Sequence, residues 1–574
     1  MEKIELLLVN SYAPRQRIAS DAALENGLAI IRTFLEEKGY YVDVIDDQRV
    51  TAMENGVPQW CLNLLRYLVD IQMKVYNKQM NILWMLLLFF AWPFQALSLY
   101  YRREFMDNRI EDIITIVKDK KIAVLGIKVW YGDAFTWSKA LAERVRKACP
   151  DTLIVAGGPQ VKVYGEYMLQ DEVFDVVIMG PGEEALAKIL DLQRIFKNKM
   201  ELLIAFHKEF DHKLVKMGTY SLEKANNYRK LFVTPKYRAE DLKGKIFFHT
   251  LVDGFGCSWN QCNFCSHTRQ NDKYYSRSIN EIVNEIEFMS EQGISFFRFS
   301  SSETPIEHGK KIAEEILKRN LNVNFSMFAR AVRVTPELFD AYSTMIKAGL
   351  RAVFMGGETG HDLINEKVMN KGIRSKDVVD TINCIKLASE KVGANCRIGL
   401  SLIYPCPVIE DVSLEEVFEE DMRLIQEANP DTVIVNPPVI FPETKWMERA
   451  AEFGFIAEPT FVTNFMKYEY SIYKPMELWD ELGYSLQGMS SSELLKETSR
   501  LRKEVVKLGI PTDISDEYLM MTEAVGYRSR LDLLQFKSRS LQDIMSGSTK
   551  YMAALIEKIN QKSRQMALQG RSKE

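Results

Sequence analysis

Short apolar runs alternate with longer amphipathic stretches along the first part of the chain. IELLLVN (4–10) is an apolar run closed by turn residues, GLAIIRTFLEEKG has the helical period, and YYVDVID (40–46) is a second short strand. KIAVLGIKV (121–129), a helix near 137–148, LIVAGG (153–158) and DVVIMGPGEE (175–184) continue the pattern. Apolar strands separated by amphipathic helices predict a parallel sheet covered on both faces. Residues 1–200 therefore read as a Rossmann- or flavodoxin-like α/β domain. Ligands of such sheets bind beyond the carboxyl ends of the strands. That rule points to the loops Ser11–Pro14, Trp130–Asp133, Gly157–Gly158 and Gly180–Gly182.

Residues 201–240 carry mixed charge without a repeated pattern and read as a connector. From Lys245 the alternation resumes with KIFFHTLVD, a helix over 278–292 and ISFFRFS (294–300). NVNFSMFARA (322–331), RAVFMGGE (351–358), CRIGLSLIY (396–404) and DTVIVNPPV (431–439) follow. Six strand candidates with helices between them predict a second α/β unit of partial (β/α)6 barrel type over 241–460. The strand signal then fades, and 461–574 reads as a mainly helical domain punctuated by Gly509, Pro511 and Gly526. Its basic end, Lys558 to Lys573, reads as a solvated helix end.

One segment departs from the alternation. Between the second and third strands lies an apolar insertion, Trp60 to Arg103, in which Ile82 to Phe94 is thirteen apolar residues without a break. Ile82 to Tyr101 approaches the length of a membrane span. Strands that must pair in one sheet stand on both sides of it, so they cannot lie on opposite faces of a bilayer. Pro93 is expected to break the run. The stretch is expected to be helical and buried against protein, with no transmembrane span; its aromatic and methionine content also suits the wall of an apolar cavity.

Over 574 residues the formal net charge is -4 and the isoelectric point about 6.1, which gives no electrostatic case for nucleic acid. The N-terminus lacks the pattern of a signal peptide, so a cytoplasmic, reducing location is expected. Cysteines there are free thiols or metal ligands. Cys61, Cys149, Cys384, Cys396 and Cys406 stand singly and read as small buried hydrophobes. Cys257, Cys262 and Cys265 stand together as C-x4-C-x2-C directly after a predicted strand. Three thiolates in nine residues suit one face of a cubane iron–sulfur cluster and leave its fourth iron open. Gly254 and Gly256 let the backbone turn tightly there. On spacing alone a zinc site completed by His267 or His249 is the alternative, although no second ligand pair follows.

The segment D-G-F-G-C-S-W-N-Q-C-N-F-C resembles the radical S-adenosylmethionine superfamily, whose cysteine loop follows the first barrel strand. The usual spacing there is C-x3-C-x2-C, so this chain has one extra residue in the first gap. The resemblance implies a [4Fe–4S] cluster on the three cysteines, with S-adenosylmethionine on the fourth iron. Phe264 takes the family's aromatic position, against the adenine. Ser301, Ser302 and Glu303 end the second strand, where relatives hold the methionine amine. Arg330 ends the third strand and is the implied carboxylate partner. Gly356-Gly357-Glu358-Thr359 resembles the family's ribose-side G-x-E-[ST] loop, with Glu358 as its acid.

Placed before such a barrel, residues 1–200 resemble the cobalamin-binding domain of the B12-dependent class of these enzymes. Trp130, Gly157, Gly158, Gly180, Gly182 and Glu183 are the implied cobalamin contacts, and Pro181 departs from the family's G-E-G-E turn. The implied activity is that of a class B methyltransferase. A methyl group passes from methylcobalamin to an unactivated carbon or a phosphinate phosphorus by way of a 5′-deoxyadenosyl radical. The implied substrate is a small molecule or peptide, and the implied reductant is a flavodoxin or ferredoxin. A cobalamin-binding cyclase or oxidative rearrangement enzyme is the alternative within the family, and a non-catalytic cobalamin or iron–sulfur sensor the alternative outside it.

None of the six histidines, His207, His212, His249, His267, His308 and His361, lies in residues 1–200. No imidazole of that domain is therefore available to cobalt, although imidazole is the usual protein nitrogen ligand. Electron paramagnetic resonance of the cobalt(II) form should accordingly lack the nitrogen superhyperfine splitting of an axial imidazole or benzimidazole. Clear triplet splitting would contradict this reading.

Overall fold

The computed structural model describes residues 4–12, 22–77, 81–169, 172–209, 214–216, 233–267, 274–467 and 481–571. Two parallel sheets organise it. The first contains β1 (Leu6–Asn10), β2 (Val42–Ile45), β3 (Val124–Lys128), β4 (Leu153–Gly157), β5 (Val176–Met179) and β6 (Leu214–Lys216), in the order β2–β1–β3–β4–β5–β6. The two-residue period of a strand sorts β1 between two cores: Leu7 and Val9 pack with one helix layer, Leu6 and Leu8 with the other. β6 comes from the segment expected as connector, where the helix Lys199–Glu209 also forms. Of the expected ligand loops, Ala13 and Pro14 lie outside the described residues.

The second sheet contains β7 (Phe248–Leu251), then, after a hairpin of β8 (Gly254–Phe255) and β9 (Tyr275–Ser276), β10 (Phe296–Phe299), β11 (Asn324–Ala329), β12 (Leu350–Glu358), β13 (Arg397–Ile403) and β14 (Thr432–Asn436). Its six strands follow chain order from β7 to β14, all parallel. Phe297 and Phe299 of β10 pack with Ile282 and Ile312 of the crossover helices. Phe296 points the other way, into a core with Tyr518 and Leu519 of the helix Asp516–Ala524. That helix lies across the face of the sheet which the crossover helices leave open.

The C-terminal region is mainly helical, as expected, but also holds a small antiparallel sheet of β15 (Phe455–Ala457), β16 (Tyr484–Leu486) and β17 (Met489–Ser490). These strands are two or three residues long, too short to leave a period in the sequence. Part of the stretch expected to be helical, 475–480, lies outside the described residues. Ser490 and Glu493 form a capping box that starts the helix Ser491–Lys507. The last helix, Lys550–Arg571, caps the amino ends of the barrel strands: Asn560 accepts from the Phe247 N–H at 2.8 Å and Ser563 from that of Ser295 at 2.8 Å.

The apolar insertion is a helical hairpin of Gln59–Asn77 and Asn81–Asp119. Two expectations are corrected here. The second helix runs through Pro93 without ending, because the surrounding turns are held by packing: Cys61, Leu62 and Leu65 of the first helix contact Phe94 and Tyr101. Nor is the run buried. Ile82 is 79 % exposed, Phe89 75 % and Trp92 68 %. A helix packed on one neighbour covers one face only, and an apolar run that continues round the cylinder leaves the other face in water. The base of the hairpin is tied to the C-terminal region through Gln542 to Asp70 at 3.1 Å and Arg66 to Ser548 at 3.1 Å. Among the described residues no helix is long and apolar enough to cross a membrane.

Exposed side chains contribute little to folding. Leu86→Lys combined with Phe89→Lys should therefore change stability by no more than about 0.5 kcal/mol while lowering aggregation, which exposed apolar patches promote. Thermal melting with light scattering checks this; a collapse of the melting transition would show that the face is part of the core.

Candidate active site

The loops that follow the strands of the second sheet surround a cavity of about 770 Å³. The cysteine loop leaves β7 and is anchored before it begins. Asp253, fully buried, accepts from the Ser301 N–H at 3.0 Å, the Ser301 hydroxyl at 2.8 Å and the Thr304 hydroxyl at 2.7 Å. The loops after β7 and β10 are thereby joined. Within the long first gap, Asn260 takes a left-handed conformation at φ 50°, one asparagine tolerates better than most residues. Cys257, Cys262 and Cys265 all line the one cavity.

Three further contacts pin the loop. The Trp259 indole N–H donates to the Asn370 carbonyl at 2.7 Å, the Asn263 amide to that of Val368 at 2.9 Å, and the Trp446 N–H to that of Asn263 at 3.0 Å. Burial pushes all three thiols up, Cys262 to about 12, so a nearby cation is needed to hold thiolates there. Among the described residues no group of three or more His, Cys, Asp or Glu converges as the shell of one metal ion. The three thiols line a cavity of about 770 Å³, which has room beside them for a group larger than a single ion. His249 is not a zinc ligand: Nδ1 pairs with the Tyr237 hydroxyl at 3.0 Å and Nε2 with Glu285 at 2.8 Å.

The other residues expected near S-adenosylmethionine divide. Phe264, Ser302, Glu303, Arg330 and Glu358 line the cavity with the cysteines, and Phe264 packs on Trp446 at 5.7 Å. Ser301 does not line it; its hydroxyl is committed to Asp253. Glu303 accepts from the Cys257 thiol at 3.1 Å and the Ser258 hydroxyl at 2.9 Å. Arg330 turns aside, donating to the Lys371 and Gly372 carbonyls and lying 4.5 Å over the Trp259 ring. Glu358 ends β12 in a left-handed conformation at φ 62°, a strained position for a residue with a Cβ. Its carboxylate meets the Lys371 ammonium at 2.6 Å, and a Cβ on Gly356 would stand 2.3 Å from that carboxylate.

Lys371, Trp259, Trp446, Arg298 and Asp516 were not foreseen. Lys371 and Trp446 lie outside any strand pattern, and Asp516 sits in a distant helix. Arg298 stands in a predicted strand, where a charge facing inward was the available signal. It pairs with Asp516 through two nitrogens, each at 3.0 Å, and the Ser326 hydroxyl donates to the same carboxylate at 2.7 Å.

A second cavity of about 600 Å³ opens beyond the carboxyl ends of the first sheet. Trp130, Gly157, Gly158, Gly180, Gly182 and Glu183, all expected at a cobalamin, line it. Gly158 has φ 102°, and a Cβ there would come within 2.9 Å of Lys128 and 3.2 Å of the Val129 carbonyl. Burial lifts the Glu183 carboxyl to about 7, and its Oε2 has no hydrogen-bond partner among the described residues. Gln160, on the wall of the first cavity, likewise has an unpartnered buried Nε2. Such donors suit a cofactor rimmed with amides. Trp130 and Arg298 line both cavities, so the two adjoin.

Residues 251–399 match the radical SAM superfamily and residues 100–190 match the B12 binding domain. The ribosomal protein uS12 methylthiotransferase RimO of Clostridium botulinum (strain Loch Maree / Type A3) is 26 % identical over 254 residues, 42 % of this chain and 52 % of that protein. The chain thus spans about half the length of the relatives it matches. The radical S-adenosylmethionine methyltransferase TsrM from Kitasatospora setae, solved with tryptophan and an S-adenosylmethionine analogue, has a similar structure. Its TM-score is 0.58 at 15 % identity, covering 94 % of this chain and 99 % of that one. The cobalamin-dependent S-adenosylmethionine radical enzyme OxsB gives a TM-score of 0.53 at 13 % identity, covering 99 % of this chain and 80 % of that one. At these identities the likeness is one of fold.

Anaerobically reconstituted protein should bind about four iron per chain, and replacing Cys257, Cys262 and Cys265 together by Ala should abolish this. Stoichiometric zinc that iron and sulfide fail to displace would overturn the assignment.

Proposed function

The chain is a B12-binding radical S-adenosylmethionine enzyme, and we propose that it transfers a methyl group to an unactivated carbon or a phosphinate phosphorus. The observation that supports this reading most directly is the adjacency of the two cavities across Trp130 and Arg298. A substrate atom in the first cavity lies next to the second. When bound, the [4Fe–4S] cluster, S-adenosylmethionine and cobalamin supply a 5′-deoxyadenosyl radical and a methyl group.

In this reading Cys257, Cys262 and Cys265 hold the cluster and leave one iron for the methionine group. Ser302 and Glu303 receive its amine, and Phe264, backed by Trp446, receives the adenine. Ser301 acts at one remove, locking the loop through Asp253. Arg330 also positions, fixing the backbone of Lys371. Lys371 then offers positive charge beside the cysteines, where Cys262 and Cys265 both feel it. Glu358 holds that ammonium in place. On the cobalamin side Gly157, Gly158, Gly180 and Gly182 admit the cofactor close to the backbone. Burial raises the Glu183 carboxyl toward its neutral form, in which it would donate to one of the cofactor's acceptors. Trp130 would pack against the cofactor without offering a nitrogen ligand, because an indole N–H only donates.

Anaerobic incubation with S-adenosylmethionine labelled in its methyl group, a reductant and host extract, followed by mass spectrometry, tests the proposal. The expected product carries one labelled methyl in place of a hydrogen. A product that is cyclised or dehydrogenated and unlabelled would instead favour the rearrangement chemistry.

A further inference from the structure

The charged side chains lining the first cavity are all engaged within the protein. Arg298 is held by Asp516, Lys371 by Glu358, Arg330 by two backbone carbonyls, and Glu303 accepts from Cys257 and Ser258. They also stand in two places only: Glu303, Glu358, Lys371 and Arg330 beside the cysteines, Arg298 and Asp516 where the helix Asp516–Ala524 meets the sheet.

The remaining wall is of another kind. It is made by Tyr131 and Tyr164 of the first domain, Ile403, Val439 and Phe441 at and beyond the ends of β13 and β14, and Phe465 of the helix Phe461–Lys467. Phe465 is its centre, with the Phe441 ring edge-on at 6.0 Å and the Tyr164 ring at 6.4 Å. Burial holds the Tyr164 hydroxyl neutral far above physiological pH. The wall is also braced: the Gly132 N–H, one residue beyond Tyr131, donates to the Met466 carbonyl at 3.1 Å. Five stretches of the chain thus converge to build an uncharged, largely aromatic surface in the cavity that the cysteines also line.

From this we propose that the substrate presents a neutral, ring-bearing apolar group to the wall around Phe465. The proposal rests on the reading that this cavity is the reaction site. Stacked and edge-on ring contacts are available to such a group. A carboxylate or phosphate placed there loses its water and meets no cation that is not already paired, a heavy penalty in an apolar site. The polar side chains along this wall are neutral amides: Asn436 donates to the Ser401 hydroxyl at 3.1 Å, and Gln160, in the same helix as Tyr164, keeps an unpartnered Nε2 that suits a neutral acceptor on such a ring.

The test uses the full chain loaded with cluster and cobalamin, with S-adenosylhomocysteine present to fill the adenosyl site. Equilibrium dialysis compares two matched probes, 2-methylnaphthalene and 2-naphthoate. The neutral arene should bind at least about ten-fold more tightly than the carboxylate, and Phe465→Ala should weaken arene binding several-fold with the cobalamin content unchanged. The wild-type comparison stands even where the variant fails to fold. A preference under ten-fold, arene binding that Phe465→Ala leaves intact, or no binding of the arene at its solubility limit would each overturn the proposal. A second portion of the loaded protein, without S-adenosylhomocysteine and with dithionite as reductant, is assayed for reductive cleavage of S-adenosylmethionine to 5′-deoxyadenosine. Cleavage without the expected probe preference refutes the substrate class alone, and loss of cleavage refutes the radical reading instead.

Discussion

Arg298 stands on β10, beside the edge strand of the barrel sheet, and its half-buried guanidinium meets a fully buried counter-charge. Asp516 supplies it from 218 residues further along the chain, with Ser326 sharing the same carboxylate. A buried ion pair that loses one partner leaves a desolvated charge costing several kcal/mol. The helix Asp516–Ala524 is therefore held at one angle across the sheet. That placement closes the open face of the barrel and sets the boundary between the two cavities. Glu517, the next residue, faces the other cavity, and burial beside Asp516 lifts its carboxyl to about 7 despite the opposing pull of Arg298.

The cysteine loop is constrained in a complementary way. Asp253 organises its beginning, and the Trp259, Asn263 and Trp446 contacts organise its course. All are hydrogen bonds to backbone groups or from buried hydroxyls, so the course of the loop is held without using the three thiols. Preorganisation of this kind lowers the conformational entropy that assembly would otherwise cost. The strained backbone at Glu358 belongs to the same design, since it turns the carboxylate toward Lys371 instead of along the strand.

The helical hairpin follows a different rule. Hydrogen bonds of Arg66, Asp70 and Arg102 tie it to the C-terminal region, while one face of its second helix remains apolar in water. A periodicity argument cannot separate a fully buried helix from one packed on a single side when apolar residues run all the way round, because both give the same unbroken run. The sequence-based expectation of burial failed for that reason. The expectation of a stop at Pro93 failed because tertiary contacts on both sides of a proline can carry a helix across one missing hydrogen bond.

What the sequence determined by itself was whatever is written locally. Strand and helix periods specify two parallel α/β units, three cysteines within nine residues specify a thiolate site, and glycines at strand ends specify close approach to backbone. The tertiary structure decided everything that depends on distant residues meeting. It bound the Arg330 guanidinium to the Lys371 loop, withdrew Ser301 to Asp253, and brought Lys371, Trp446 and Asp516 to the walls. It also assembled Tyr164, Phe441 and Phe465 into one aromatic surface. None of these pairings is encoded in spacing. Each is set by the need of a buried charge or polar group for a partner, and by the packing of rings from separate elements, which only the folded chain can satisfy.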